Sequence, residues 1–306
     1  MEVTQETYNQ IVNDVKNCLH TLRAMSKLEK SIHNCPVKDI NKLFNFTYYI
    51  YHSSEQKGTE PLSMYQNQYT MIESELKKFP GLITLEAVNT ESWKFYFTFY
   101  SKNDDEMQDM IDKCVARYYL NPKIQHFAEV ILEIVNHYFK IKKEKRGLFY
   151  FKIPKHAEMM GRSDKIVLYM SSGDIENFMA AKSTALSKKG WLNPATPLFT
   201  KRIADGVATS ATPSEELLSH IPKSWQKMFK KEFDSTSYGH YITLAILGSL
   251  QTLLIGKGIR KENDPLALDE IPDRQYNELI DEIAQNFVAP KAVRTMTGMS
   301  YKEWAG

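Results

Sequence analysis

Cysteine is scarce in this 306-residue chain, and no excess of either charge is present. The three cysteines, Cys18, Cys35 and Cys114, are odd in number and far apart. They form neither a disulfide framework nor a CxxC metal or redox motif, which points to a reducing compartment. Lys and Arg number 39 against 37 Asp and Glu, a net charge of +2. That balance argues against a generic nucleic-acid binder, whose basic excess shows in the total, but leaves room for a small cationic pocket. Long hydrophobic runs are missing too. The most apolar stretch, Tyr241–Ile255, is interrupted by Thr243, Ser249, Gln251 and Thr252. It falls short of the roughly 20 residues a membrane span needs, so a buried core helix is expected and no membrane span. The N-terminus is polar and amphipathic, with no apolar run for a Sec signal, although export through a needle-type system would require none. The phosphate-loop, dinucleotide, zinc-protease and nucleophile-elbow motifs are all absent, and His20, His33, His52, His126, His137, His156, His220 and His240 show no metal-ligand spacing. A metal or nucleotide enzyme is therefore disfavoured.

What is present is ordinary globular composition, 42% hydrophobic and 25% charged, enough to build a substantial core. Tyr8, Ile11, Val15, Leu19 and Leu22 recur at helical spacing, and helices are also expected over Asp39–Tyr51 and Met64–Phe79. Residues 53–61 read as a polar loop. From about residue 82 the pattern changes: WKFYFTFY (93–100) predicts a strand with Lys94, Tyr96 and Thr98 on one face. Asn103 is expected to cap a helix running to about Tyr119, followed by a helix over Ile124–Tyr138. Strands are expected at Leu148–Ile153, Lys165–Met170 and Leu198–Ile203, with helices at Asp174–Leu186 and Ser214–His220. The buried helix, an acidic linker (ENDPLALDEIPD), a helix over Arg274–Phe287 and a polar tail complete the chain. The expected class is α+β: a helical region over 1–79, an α+β core over 80–256, and a linker, helix and tail over 257–306.

The chemistry-bearing residues are cations and hydroxyls at strand ends and turns. Lys152 lies in FYFKIP with Lys155 and His156 behind it, Arg162 in GRSDKIVLYM, Lys201 and Arg202 in PLFTKRIADG, and Tyr238 and His240 in SYGHY. A cation on a strand flanked by aromatics, as Lys94 and Lys152 are, must face solvent or be held by an anion. Both readings stand on pattern alone: a solvated polar face, or an anion site.

The ordered series RSDKIVLYM, PLFTKRIADGVATSATP and SYGHYITLAILGSL, preceded by Lys94-Phe95-Tyr96 and by Lys152 in LFYFKIP, resembles the C-terminal half of the HopA-type type III effectors. That family includes stand-alone lyases of class V lanthipeptide biosynthesis, and it is similar in turn to the phosphothreonine lyases of the OspF and SpvC type. The resemblance covers residues 80–255. It implies β-elimination of phosphate from phosphothreonine or phosphoserine in a protein or precursor peptide, with no metal or redox cofactor. A partner kinase would supply the phosphate. The location implied is the bacterial cytoplasm, or a host cell for an effector.

Carried over by position, the resemblance makes Lys94 the base, puts Tyr96 where the lyases keep an acid histidine, and sets Lys152 near the substrate carbonyl. It makes Arg162 and Lys201 phosphate-binding. His240 stands where the family usually continues to a basic residue, so it is a candidate acid or phosphate ligand. A base removing the α-proton and cations stabilising the enolate and leaving phosphate would have to converge. Two other outcomes remain open: a phosphate-recognising binding module or scaffold of the same fold without turnover, and an interaction protein whose helical residues 1–75 form the partner surface.

Overall fold

The computed structural model describes residues 5–33, 37, 39–53, 62–85, 90–171, 173–211, 221–229, 238–261 and 264–288. Two compact units emerge, one from Met1–His52 with Ala211–Gly306 and the other from Ser53–Ser210. Both are built as the α+β class requires, helices in the first and a sheet with helices in the second.

In the helical unit, α1 (Gln5–His33) buries Ile11, Val15, Leu19 and Leu22, the stripe legible in the sequence. Helix α2 (Ile40–His52) starts at Asp39, whose carboxylate accepts the Asn41 N–H at 2.9 Å. The apolar segment forms α8 (Tyr238–Gly256), with Leu244, Ile246, Leu247, Leu250 and Leu254 buried. It is long and apolar enough to cross a membrane, but 61% of its most apolar window is buried inside the protein, as a core helix is. Gly239 gives α2 its close approach, since a Cβ there would lie 2.6 Å from the Tyr51 ring. Helix α9 (Asp273–Val288) packs on α1, and the buried Arg23 joins them: Nε donates to the Leu268 carbonyl at 3.2 Å and the guanidinium lies 4.5 Å from the Tyr276 ring centroid. The stretch expected to be an acidic linker is only partly that. Leu266, Ala267, Leu268 and Ile271 are buried, and the Asp269 carboxylate is carried in with them, 2.8 Å from Lys30 Nζ, while Asp264 and Glu270 stay exposed. A short helix, α7, spans Lys223–Met228.

The second unit holds one six-stranded antiparallel sheet in the order β1-β3-β4-β2-β6-β5. The strands are β1 (Trp93–Phe97), β2 (Ala116–Leu120), β3 (Phe149–Pro154), β4 (Ile166–Met170), β5 (Lys201–Ala204) and β6 (Val207–Ala211). Helices α3 (Leu62–Leu76), α5 (Phe127–Lys140) and α6 (Asp174–Lys188) belong to this unit, α5 packing against both others. Their apolar sides meet Phe149, Phe151, Ile153, Leu168 and Leu120 in the main core. Helix α4 (Asp104–Asp112) carries Met107 to a smaller cluster with Phe97, Cys114 and Tyr150.

The largest departure from the sequence expectation is β2. The helix capped by Asn103, whose side chain accepts the Asp105 and Glu106 N–H groups, ends at Asp112 and does not reach Tyr119. ARYYL is a central strand buried at every position, so it shows none of the alternation that marks a half-exposed strand. Strand β6 was hidden inside a turn motif. The turn needs Gly206, which has φ +69°, and a Cβ there would sit 2.2 Å from the Asn193 carbonyl oxygen. The units divide the chain at other points than residues 79/80 and 256/257, because α3 packs with the sheet unit and α8 with the helical one. The helix expected at Ser214–His220, residues 54–61 and the tail lie outside the described residues.

Candidate functional site

Strand pleating decides where the predicted residues go. Successive side chains alternate between faces, and directly opposed residues of an antiparallel pair share one. In the β1–β3 pair, Lys94 faces Ile153, Phe95 faces Lys152 and Tyr96 faces Phe151. Lys94 and Tyr96 therefore project to one side of the sheet, and Lys152 to the other with Trp93 and Phe95.

On the first side, Tyr96 is packed in the core with Tyr65 and Ile72 of α3, its ring stacked on Phe151 at 5.0 Å. Glu73 of α3 reaches both Lys94 and Tyr96. The Lys94 Nζ lies 2.7 and 2.9 Å from its two carboxylate oxygens, and the Tyr96 hydroxyl donates to Oε1 at 2.6 Å. Burial by itself would raise the Glu73 pKa, but hydrogen bonds from Lys94 and Tyr96 outweigh it and hold the carboxyl below its ordinary value. Burial first, then the bond to Glu73 and its charge, pushes the Tyr96 hydroxyl far above its usual pKa. A base must offer a lone pair to substrate and an acid must release its proton. This ammonium sits in a carboxylate fork, and this phenol holds its proton tightly.

On the opposite side, the Lys152 Nζ lies 4.3 Å from the Trp93 ring centroid and the Arg162 Cζ 5.1 Å from the same ring. Arg162 follows a 3-10 turn (Ala157–Gly161) and makes a paired contact with Asp164, Nε–Oδ1 at 2.7 Å and Nη2–Oδ2 at 2.9 Å. The same face continues across β4 and β2. Arg117 is opposite Tyr169, which is opposite Tyr150. The Arg117 guanidinium lies 5.5 Å from the Tyr169 ring, and the Tyr150 and Tyr169 rings stack at 4.4 Å. Burial pushes the Tyr169 hydroxyl up to about 12. The Tyr119 hydroxyl and Ser210 Oγ, 2.8 Å apart, complete a polar row.

Lys201 lies on a distant strand, and His240 in the other unit. Lys201 starts β5 opposite Thr209, four strands from β3 in the sheet order, which is about 19 Å at ~4.8 Å per strand. His240 belongs to the helical unit, where its ring lies 4.6 Å from Tyr48 and 5.7 Å from Phe44. His156 is an exposed loop residue whose Nε2 is 3.0 Å from the Glu91 carbonyl. Among the described residues, no group of three or more His, Cys, Asp or Glu side chains is placed to hold a metal ion.

Several residues of these groups, Trp93, Asp164, Glu73 and Arg117 among them, are not among those the sequence pattern singles out. Asp164 stood inside the quoted RSD string, and Trp93 opened the predicted strand, so both carried a local signal. Glu73 lies 21 residues before Lys94 on a separate helix and carried none. Arg117 was assigned to a helix, which concealed its place on the central strand.

The sheet with its flanking helices defines an α+β class that also contains a known effector. An effector protein from Pseudomonas syringae pv. tomato strain DC3000 has a similar structure with TM-score 0.51, at 11% identity over 97% of this chain and 98% of that one. At that identity the likeness shows the fold. An effector from P. syringae pv. syringae strain 61 is 12% identical over 98% of each chain, with TM-score 0.49. More particularly, residues 89–221 match the model of the HopA1 effector protein family, a segment that contains all six strands. No curated protein matches the chain.

Proposed function

We propose that the protein works as an effector-type phosphate-recognising module, capturing a phosphorylated Ser/Thr segment of a host protein on the Trp93 face of its sheet without eliminating the phosphate. The observation that carries this reading is the gathering of Lys152 and Arg162 on one indole, on the face that also bears Arg117. Register puts the Lys152 and Arg117 backbones about 12 Å apart, two strands across and two residues along, so the buried Arg117 would add positive charge beneath the phosphate. A phosphate dianion would compete with Asp164 for the Arg162 guanidinium, trading one charge-assisted pair for another. Trp93, Tyr119 and Ser210 are buried, so the half-buried Lys152 and Arg162 side chains would make the contacts to peptide.

Elimination, which the resemblance to lanthipeptide and phosphothreonine lyases implies, needs a base and an acid on the side where the phosphate sits. Lys94 and Tyr96 face the other side and are engaged by Glu73, which favours binding over turnover. The effector likeness of residues 89–221 favours a host cell as the place of action. Incubating the protein with a phosphothreonine peptide tests the reading. Binding that weakens with salt, with the peptide mass unchanged, is expected. Arg162→Met should weaken it about ten- to a hundredfold, the worth of a charge-assisted hydrogen bond of ~1.5–3 kcal/mol. Loss of the mass of phosphoric acid from the peptide would replace this reading with the lyase. The absence of any phosphorylation-dependent binding would end both.

A further inference from the structure

The grip on Glu73 has the form of a ligand contact. One ammonium spans both carboxylate oxygens and a phenol donates to one of them, at 2.6 to 2.9 Å. Such a donor set holds a bound carboxylate or phosphate in many unrelated proteins. We propose that Lys94 and Tyr96 form an oxyanion-binding site distinct from the Trp93 face, and that Glu73 is its built-in occupant, excluding external carboxylate or phosphate until its side chain is withdrawn.

Three further observations support an occupant rather than a strut. First, α3 is anchored without Glu73. Ile72 and Leu76 are buried, the Tyr65 hydroxyl donates to the Pro154 carbonyl at 2.7 Å, and the Gln68 side chain accepts the Ala128 N–H at 2.9 Å. Removing the carboxylate therefore leaves the helix seated and the donors in place. Second, the site communicates with solvent: the Lys94 and Glu73 side chains are 16% and 28% exposed. A small anion has a path that a sealed ion pair would deny it. Third, the positive field at Glu73 exceeds one lysine, because Lys77 also acts on it. The Tyr96 ring, stacked on Phe151, fixes the phenol so that its hydroxyl stays aimed at the same point when the carboxylate leaves.

The site lies on the opposite side of the sheet from Lys152 and Trp93, so it stands or falls apart from the phosphopeptide reading. The test is inorganic phosphate and acetate titrated by calorimetry into the wild type, Glu73→Ala and Glu73→Ala/Lys94→Met. Glu73→Ala should bind phosphate at least tenfold more tightly than the wild type, and the added Lys94→Met should abolish the gain. Acetate binding with the same Lys94 dependence would assign the site to carboxylates; binding of phosphate alone would assign it to phosphates. The gain should survive Lys152→Met, which removes a cation of the Trp93 face. No gain in Glu73→Ala for either anion, or a gain that persists without Lys94, overturns the proposal. Should Glu73→Ala not fold, Glu73→Ser, whose short side chain likewise clears the Lys94 and Tyr96 donors, must show a Lys94-dependent gain for the proposal to stand.

Discussion

The two faces of the β1–β3 pair use the same kinds of residue to opposite ends. On the helix-covered side an ammonium, a phenol and a carboxylate close on one another, and the phenol ring is part of the core. On the other side an ammonium and a guanidinium share an indole. The guanidinium is paired with Asp164. The difference teaches that adjacency in sequence is a poor guide to shared chemistry on a strand. Trp93 and Lys94 are neighbours in the chain, yet they face opposite sides of the sheet, whereas Trp93 and Lys152 meet across a strand pair.

The comparison breaks most visibly through packing. Tyr96 is 3% exposed and stacked on Phe151, so Tyr96→Ala should cost about 3–5 kcal/mol of unfolding free energy, as large aromatic truncations in cores do. Phe95→Ala, at a half-buried position on the opposite face, should cost clearly less in the same urea titration. Equal costs would mean that the two faces are packed alike at this strand. Next in size is a crossed pair of lysines. Lys152→Met should lower phosphothreonine-peptide affinity about ten- to a hundredfold, an effect of ~1.5–3 kcal/mol, and leave stability nearly unchanged. Lys94→Met should leave that affinity within about twofold and instead cost ~1–3 kcal/mol of stability, because a half-buried Glu73 loses its ammonium partner and keeps the Tyr96 hydroxyl. Affinity that follows Lys94 would place the ligand on the wrong face for the present reading.

Much of the scaffold could be read directly from the chain, and much of the site could not. Helix α1 announced itself through the spacing of Ile11, Val15, Leu19 and Leu22, and α8 through composition, since burial of those residues needs no knowledge of their partners. Strands β1, β3 and β4 showed in aromatic and β-branched content. Strand β2 did not, because burial on both faces erases the period-two signal that separates a strand from a helix. The cations Lys94, Lys152 and Arg162 were identifiable as residues, but their grouping depends on register, the opposition of Phe95 to Lys152. Sequence fixes alternation within one strand and leaves open which residue of another strand lies opposite. Likewise the partner of Lys94 comes from α3, a separate helix whose packing against α5 sets where Glu73 points.

The smallest effect concerns acid. Glu73 has a folded pKa lowered from 4.5, so its ion pair favours the folded state above that value and the contribution is lost as pH falls through the folded one. Glu73→Gln carries no such dependence at this position. The stability difference between wild type and Glu73→Gln should therefore be constant from neutral pH down to about 4.5 and shrink below it. Because the carboxylate is 28% exposed and the ammonium 16%, the whole change should stay within about 1 kcal/mol, the range of partly solvated pairs. Urea midpoints measured for both proteins between pH 6 and 3 would resolve it. A difference that stayed flat across that interval would show that the Lys94 fork does not stabilise the charged form. The contrast between an ionised cluster around Glu73 on one face and the cations gathered on Trp93 on the other would then lose its electrostatic basis.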